Sequence, residues 1–259
     1  MKMSGNTVLI TGGSSGIGFE FASQLLELGN TVIITGRDQV KLDEVKRKLP
    51  HVHTFQSDAG DPGAIAALYT AVVKQFPKIN VLINNAGLMR KINLHETNAN
   101  PADLNSEIAT NLSGPIWMVQ QFLTHLKMQE SAAIVNVSSG LAFVPLPISP
   151  IYCAAKAGVH SYTLSLRAQL KHTKVKVFEL APPLTETPLV DAFDPTDMSG
   201  SKAMRVTDMV SYAIKGIKRD QYEIRPGQSN ALKMMNRIAP NFIFGQLSKT
   251  VDRMLGASK

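Results

Sequence analysis

Short apolar runs alternate with longer amphipathic stretches along most of the chain. Such short, β-branched runs are typical of strands buried on both faces of a parallel sheet. The stretches between them repeat their apolar residues every three to four positions, as helices do. Together the alternating elements predict an α/β fold, a doubly wound parallel sheet with helices on both faces. The predicted strands are residues 7–10, 31–35, 52–57, 79–83, 132–137, 175–180 and 222–224.

Helical periodicity marks the segments that connect these strands. The first predicted helix follows the first strand and ends at residue 28, and the third begins at Pro62. The other predicted helices cover residues 40–49, 102–128, 149–172 and 206–219. No repeat, low-complexity tract or linker interrupts the pattern, so we expect one domain over residues 1–259, with a helical extension over about 229–257.

Composition narrows the class of protein. Of the 259 residues, 44% are hydrophobic and 18% are charged, which is enough apolar material for a large core. A single cysteine, Cys153, excludes a disulfide framework and a cysteine-based zinc site, and we expect no metal. No apolar run reaches the roughly 18 residues of a membrane span, and the N-terminus lacks a signal-peptide pattern. These features favour a cytoplasmic protein.

The charge is uneven along the chain. Its net value is +7, and residues 201–259, with 11 basic and 4 acidic side chains, carry all of the excess. Neither a dense basic stripe nor a reader motif accompanies it, so we interpret the excess as a solvated basic face and expect no nucleic-acid partner.

A glycine-rich segment, T-G-G-S-S-G-I-G, connects the first strand to the first helix over residues 11–18. Glycines there allow a tight turn, and the free N–H groups at the start of the following helix suit a pyrophosphate. We therefore predict a dinucleotide-binding loop. Its candidate binding residues are Gly12, Ser14, Ser15, Gly16, Ile17 and Gly18.

Four further motifs follow in order: N-N-A-G after the fourth strand, T-N-L-S-G-P, N-V-S-S-G at the end of the fifth strand, and Y-C-A-A-K. With the glycine spacing T-G-x-x-x-G-x-G, they resemble the short-chain dehydrogenase/reductase superfamily, in its single-domain branch of about 250 residues. This resemblance implies a Rossmann-like sheet. The phrases L-L-E-L-G-N and S-G-L-A-F-x-P-L are similar to the bacterial oxidoreductases named for the D-alanyl-lipoteichoic-acid operon.

The resemblance implies a role for four residues. Tyr152 would exchange a proton with the substrate, and Lys156, one helical turn later, would lower the pKa of Tyr152 and bind the nicotinamide ribose. Ser139 would orient the substrate oxygen, and Asn111 would hold a water of a proton relay. The remaining implied cofactor contacts, besides Tyr152 and Lys156, are Asp58, Asn84, Ala86, Gly87, Pro182 and Thr187.

The second strand ends in Thr35-Gly36-Arg37. An acidic residue there would bind a ribose 2′-hydroxyl, whereas the Arg37 guanidinium suits a 2′-phosphate. We therefore expect NADP(H) in preference to NAD, although the neighbouring Asp38 favours NAD. After the sixth strand, Pro183 replaces the glycine usual in the family, and the resemblance implies a substrate lid over residues 188–205.

The motifs together predict an NADP(H)-dependent oxidoreductase that interconverts a small carbonyl compound and its alcohol by hydride transfer. The alternative is a catalytically silent NADP(H)-binding sensor or scaffold linked to the cell envelope. The resemblance implies a homodimer or homotetramer. Near the C-terminus, Ile243, Leu247, Val251 and Met254 form an apolar helix face, which docks on the protein or, alternatively, contacts an anionic membrane as a peripheral helix.

Overall fold

Seven parallel strands form one sheet in the computed structural model, which describes residues 1–96, 100–191, 193–194, 197 and 202–256. The sheet order is β3-β2-β1-β4-β5-β6-β7. Strands β2 and β3 therefore lie on one side of β1, and after a crossover from β3 the chain adds β4 to β7 on the other side. Such a switch point places a ligand crevice at the carboxyl ends of the strands. The strands are β1 (Thr7–Ile10), β2 (Thr31–Gly36), β3 (His53–Gln56), β4 (Ile79–Asn84), β5 (Ala132–Val137), β6 (Val175–Leu180) and β7 (Glu223–Ile224).

Helices cover both faces of the sheet. One face packs against α1 and α7, and the other against α3, α5 and α6, which confirms the predicted doubly wound α/β fold. The helices are α1 (Gly16–Glu27), α2 (Gln39–Lys48), α3 (Pro62–Gln75), α4 (Pro101–Ile108), α5 (Gly114–Met128), α6 (Pro150–Gln169), α7 (Val206–Lys218), α8 (Gln228–Ile238) and α9 (Pro240–Met254).

Local sequence explains where several helices begin. Asp38 and Asp61 cap α2 and α3 by accepting hydrogen bonds from backbone amides of the first turn. Proline is the first residue of α3, α4, α6 and α9, a position that has no intrahelical N–H bond to lose.

Three predicted elements differ from the observed ones. The helix predicted over 102–128 is interrupted by a π-helical turn, Ala109–Ser113, between α4 and α5. The predicted extension over 229–257 consists of two helices, α8 and α9, and its residue 257 lies outside the described part of the chain. In the predicted lid, Pro188–Val190 forms a single 3-10 turn, and residues 192, 195, 196 and 198–201 also lie outside the description. Among the residues described, no helix is both long and apolar enough to cross a membrane.

Candidate active site

A cavity of about 870 Å³ opens at the carboxyl ends of the strands. This volume is in the range of pockets that hold cofactors and small molecules. The cavity connects the glycine loop to the Tyr152 helix, and most of the predicted site residues line it. These are Gly12, Ser14, Ser15, Gly16, Ile17, Arg37, Asp58, Ala86, Gly87, Ser139, Tyr152, Lys156, Pro182 and Thr187.

The glycine loop is packed tightly beneath the cavity. Gly12 has a φ of +66°, and a Cβ added to it would lie 2.8 Å from the Cα of Ala86. Gly18 does not line the cavity; a Cβ there would overlap the Gly12 carbonyl oxygen and lie 2.6 Å from Asn85 Nδ2. Asn85 donates from Nδ2 to the carbonyl oxygens of Thr11, at 3.0 Å, and Gly12, at 3.1 Å. Gly18 therefore shapes the loop from below.

Asn84 lies away from the cavity, although the resemblance implied a cofactor contact. Its Nδ2 donates to Asn136 Oδ1 at 2.8 Å, and both side chains are buried between β4 and β5. The next residue, Asn85, lines the cavity instead and holds the loop. Neighbouring residues of an extended chain point to opposite sides, which explains the exchange of roles.

The end of the cavity beside β2 carries charged side chains of both signs. Arg37 lines it, and so does Lys41, which the sequence analysis did not single out. Asp38 also lines this end, but its carboxylate accepts a hydrogen bond from Lys41 N at 3.2 Å as the cap of α2. Asp58 Oδ1 accepts from Gly60 N at 2.8 Å, so one of its oxygens shapes the turn after β3. Both aspartates thus have local structural roles.

Three of the four predicted catalytic residues, Ser139, Tyr152 and Lys156, line the cavity together. Tyr152 and Lys156 are buried on α6, and Ser139 is the second residue after the end of β5. Lys156 Nζ donates to the carbonyl oxygen of Val137 at 2.8 Å and lies 5.7 Å from the centroid of the Tyr152 ring. Ser139 Oγ accepts a hydrogen bond from Leu141 N at 3.1 Å, which fixes the serine side chain.

The pKa of Tyr152 is shifted in the direction opposite to the expected one. Burial raises the pKa of Tyr152, and the hydrogen bond with Ser139 only partly opposes that shift. The pKa was expected to be lowered by Lys156, but the ammonium lies over the ring face and is held by Val137, so the cost of burying a phenolate dominates. Burial also lowers the pKa of Lys156 to about 8.

Asn111 lies in the π-helical turn behind the cavity. Its Oδ1 accepts from Leu88 N at 3.0 Å, and its Nδ2 donates to Leu88 O at 2.7 Å. A Cβ added at Gly87 would lie 3.0 Å from Asn111 Oδ1 and 3.6 Å from Lys156 Nζ. Asn111 therefore anchors the segment after β4 close to Lys156. Single π-helical turns such as this one are frequent at functional sites.

The segment after β6 closes against the glycine loop. The carbonyl oxygen of Pro182 accepts a hydrogen bond from Gly140 N at 2.8 Å. A Cβ added at Gly16 would lie 3.2 Å from the Cβ of Thr187. Pro182, Pro183 and Thr187 thus bring the end of β6 over the start of α1, where the predicted loop and the predicted lid segment meet.

Helices α8 and α9 form the outer wall of the cavity, which the sequence analysis did not predict. Leu247, Val251 and Met254 of α9 pack against a buried cluster that includes Tyr152 and Cys153. The apolar face proposed to dock or to contact a membrane therefore points toward the site. Its amphipathic period was the signal for this position. The wall residues are Gln228, Ala231, Leu232, Met235, Ile243, Gln246, Leu247, Thr250 and Arg253.

The lowered pKa of Lys156 has a consequence for stability. Its pKa is about 8 in the folded protein and 10.5 ordinarily, so between these values the unfolded chain binds more protons and stability rises with pH. Lys156→Met removes this titration. The unfolding free energy of the wild type minus that of the variant should rise by about 2–3 kcal/mol between pH 7 and pH 10, as measured by urea denaturation.

The exposed Lys174 supplies the control for this experiment. The unfolding free energy of the wild type minus that of Lys174→Met should not change with pH. An equally flat difference for Lys156→Met would contradict the buried, weakly basic state of Lys156.

Known proteins share this sequence and architecture. A family model described as short chain dehydrogenase matches residues 6–197. The oxidoreductase DltE of Bacillus subtilis (strain 168) is 42% identical over 248 residues, which cover 96% of this chain and 98% of that protein.

Two solved structures superimpose closely. A short chain dehydrogenase from Burkholderia cenocepacia J2315 in complex with NADP gives a TM-score of 0.82 at 24% identity, over 95% of this chain and 99% of that one. The 3-ketoacyl-(acyl-carrier-protein) reductase from Brucella melitensis complexed with NADH gives a TM-score of 0.76 at 26% identity, over 83% of this chain and 91% of that one. The family match, the DltE relative and the arrangement around Tyr152 lead to one conclusion: the chain belongs to the short-chain dehydrogenases and is of the DltE type.

Proposed function

We propose that this protein is an NADP(H)-dependent oxidoreductase that interconverts a carbonyl compound and its alcohol, with Tyr152 as the general acid and base. One observation carries the proposal. The same cavity joins a glycine loop, at the start of α1, to a buried tyrosine, serine and lysine. A dinucleotide lying along this cavity would place its reactive end beside Tyr152.

The residues present fit such a cofactor. Gly12 and Gly16, both with positive φ, leave no room for side chains where the backbone closes on Ala86 and Thr187. The first turn of α1 offers unpaired N–H groups to a pyrophosphate, and Asp58 and Gly87 line the same cavity. A bound nicotinamide supplies the hydride.

The protein side chains supply the proton and the orientation. The Tyr152 phenol is protonated at neutral pH, so Tyr152 can donate its proton to a substrate oxygen during carbonyl reduction. Ser139, fixed by Leu141 N, can donate a hydrogen bond to the same oxygen. The Lys156 ammonium beside the tyrosine ring favours the phenolate that the proton transfer leaves. Residues of α8 and α9 form one wall of the cavity in which this chemistry would take place.

The proposed preference for NADP(H) rests on two cationic side chains at the β2 end of the cavity. Arg37 and Lys41 are both positioned to meet a phosphate on the adenosine ribose, and the carboxylate of Asp38 is engaged as a helix cap. Solved relatives contain NADP in one case and NADH in another, which supports a nicotinamide cofactor in general.

Cofactor titration tests this preference. Replacing Arg37 by alanine should weaken NADPH binding about tenfold, the value of one charge-assisted contact to a phosphate. NADH binding should stay unchanged, since NADH lacks the 2′-phosphate. Calorimetric titrations of both cofactors provide the measurement.

Arg47→Ala is the matched control, because Arg47 is exposed on α2 and does not line the cavity. It should leave both affinities unchanged. Equal affinities for NADPH and NADH in the wild type would overturn the NADP(H) preference.

Turnover is tested separately by following NADPH consumption with a panel of aldehydes, ketones and quinones. The apolar lining near Ser139, from Leu141 and Leu146, favours partly apolar members of the panel. Tight NADPH binding without turnover of any member would favour the silent sensor or scaffold over the enzyme.

A further inference from the structure

A buried polar cluster lies directly behind Ser139. The Glu179 carboxylate on β6 is fully buried. Its Oε1 accepts a hydrogen bond from Ser138 Oγ at 2.6 Å, and its Oε2 lies 2.8 Å from His160 Nδ1. Because a carboxylate only accepts hydrogen bonds, the imidazole Nδ1 is the donor in this contact.

The cluster connects the two elements that carry the candidate catalytic residues. His160 lies on α6 one turn after Lys156 and two turns after Tyr152, so the three side chains share a helix face. Ser138 is the residue before Ser139 and also donates its backbone N–H to Leu180 O at 2.8 Å. Glu179 therefore joins the helix of the acid and base to the strand end of the serine.

The order of the three groups excludes a nucleophilic role for Ser138. In a hydrolytic triad the imidazole lies between the serine and the carboxylate and takes the serine proton. Here the carboxylate of Glu179 lies in the middle, and Ser138 is 2% exposed. The cluster has the geometry of a structural bridge.

A second carboxylate, that of Glu223 on β7, lies next to this cluster and is paired with cations from neighbouring elements. Polar atoms of His160, Glu179 and Glu223 all lie within 4.8 Å of one another. Glu223 is paired with Arg225, at 2.9 Å, and with Lys233 of α8. Lys233 Nζ also lies 4.9 Å from the centroid of the Phe143 ring, and that ring contacts the imidazole edge-on. Arg225 and Lys233 both contact Oε1 of Glu223, so a guanidinium and an ammonium group hold this carboxylate.

We propose that His160 and Glu179 are positioning residues of this active site. They hold α6 against the strand end that carries Ser139, so that the serine and tyrosine hydroxyls face one substrate oxygen. Displacement of a reacting group by about 1 Å can cost about a hundredfold in rate. The catalytic part of this inference rests on the proposed function, whereas the geometry of Ser139 can be measured without it.

Two substitutions at His160 provide the test. His160→Leu removes the donor, and His160→Asn places an amide nitrogen near the position of Nδ1. The Leu variant should slow single-turnover carbonyl reduction at least about tenfold, with the NADPH dissociation constant within twofold of wild type. The Asn variant should recover most of the rate. The matched control is His125→Leu, because His125 bonds to Gln129 in the last turn of α5 and does not line the cavity.

A second readout does not depend on turnover. The Leu141 amide donates to Ser139 Oγ and the Gly140 amide to Pro182 O, so their hydrogen exchange reports the position of the serine. Both amides should exchange faster in the Leu variant than in the Asn and control variants. Unchanged exchange and rate in a folded Leu variant, or an Asn variant as impaired as Leu, would overturn the inference. A wild type that reduces no carbonyl would refute the proposed function, and the exchange rates would still decide whether His160 positions Ser139.

Discussion

Tyr152→Phe is expected to lower kcat for carbonyl reduction about a thousandfold, because it removes a positioned general acid and little else. Tyr152 is 6% exposed, and its phenol is protonated at neutral pH, so it has a proton to donate. The ring remains in the variant, so its packing against Cys153 and α9 persists. The measurement is the steady-state rate with a substrate found in the carbonyl panel.

NADPH affinity and thermal stability should stay close to wild type in this variant. Tyr162→Phe, on the same helix and packed in a different apolar cluster, is the matched control and should retain full activity. A Tyr152→Phe enzyme with near-normal kcat would show that the proton comes from elsewhere, and the roles assigned to Ser139 and Lys156 would need revision.

Gly18→Ala should have the second-largest effect, on stability as well as on cofactor binding. Its new Cβ would overlap the carbonyl oxygen of Gly12, a backbone atom that can move only if the whole glycine loop moves. We expect the free energy of unfolding to fall by about 2–3 kcal/mol, as for other overpacked sites. NADPH affinity should fall at least about tenfold, since 1.4 kcal/mol is a factor of ten in binding. Urea denaturation and calorimetry measure the two quantities.

Gly245 offers a control of the same chemistry. It lies within α9, and a Cβ added there meets no heavy atom within 4 Å. Gly245→Ala should leave NADPH binding unchanged and stabilise the helix by up to about 1 kcal/mol. Equal effects of the two alanines would mean that the packing beneath the loop does not restrict residue 18.

The positions of the strands along the chain were predictable, because the strands of a parallel sheet that is buried on both faces are continuous apolar runs in the sequence. Most of the candidate site residues came from the family resemblance, because the glycines and the Tyr152 and Lys156 pair occur in short motifs that each lie in one loop or one helix. The π-helical turn at Asn111 was not, because the apolar period continues through residues 109–113 and hides one extra residue in the turn.

Other features depend on contacts between distant segments. Whether Asn84 or Asn85 faces the cavity depends on the pleat of β4 and on the partner Asn136. The raised pKa of Tyr152 arises from burial by several elements at once, which a spacing of four residues cannot reveal. Likewise, Lys41 joins Arg37 only because α2 starts beside the end of β2.

The two ends of the cavity come from segments far apart in the chain. The glycine loop, Arg37 and Asp58 supply one end, whereas α8 and α9 supply the outer wall and contribute no strand to the sheet. We expect sequence changes on the cavity side of that helical pair to reshape the pocket while the glycine loop and the sheet stay in place. In evolutionary terms, α8 and α9 are where a lineage of such dehydrogenases can change the shape of its pocket without altering its strands. The same separation makes this pair the natural target for a library that seeks new substrates.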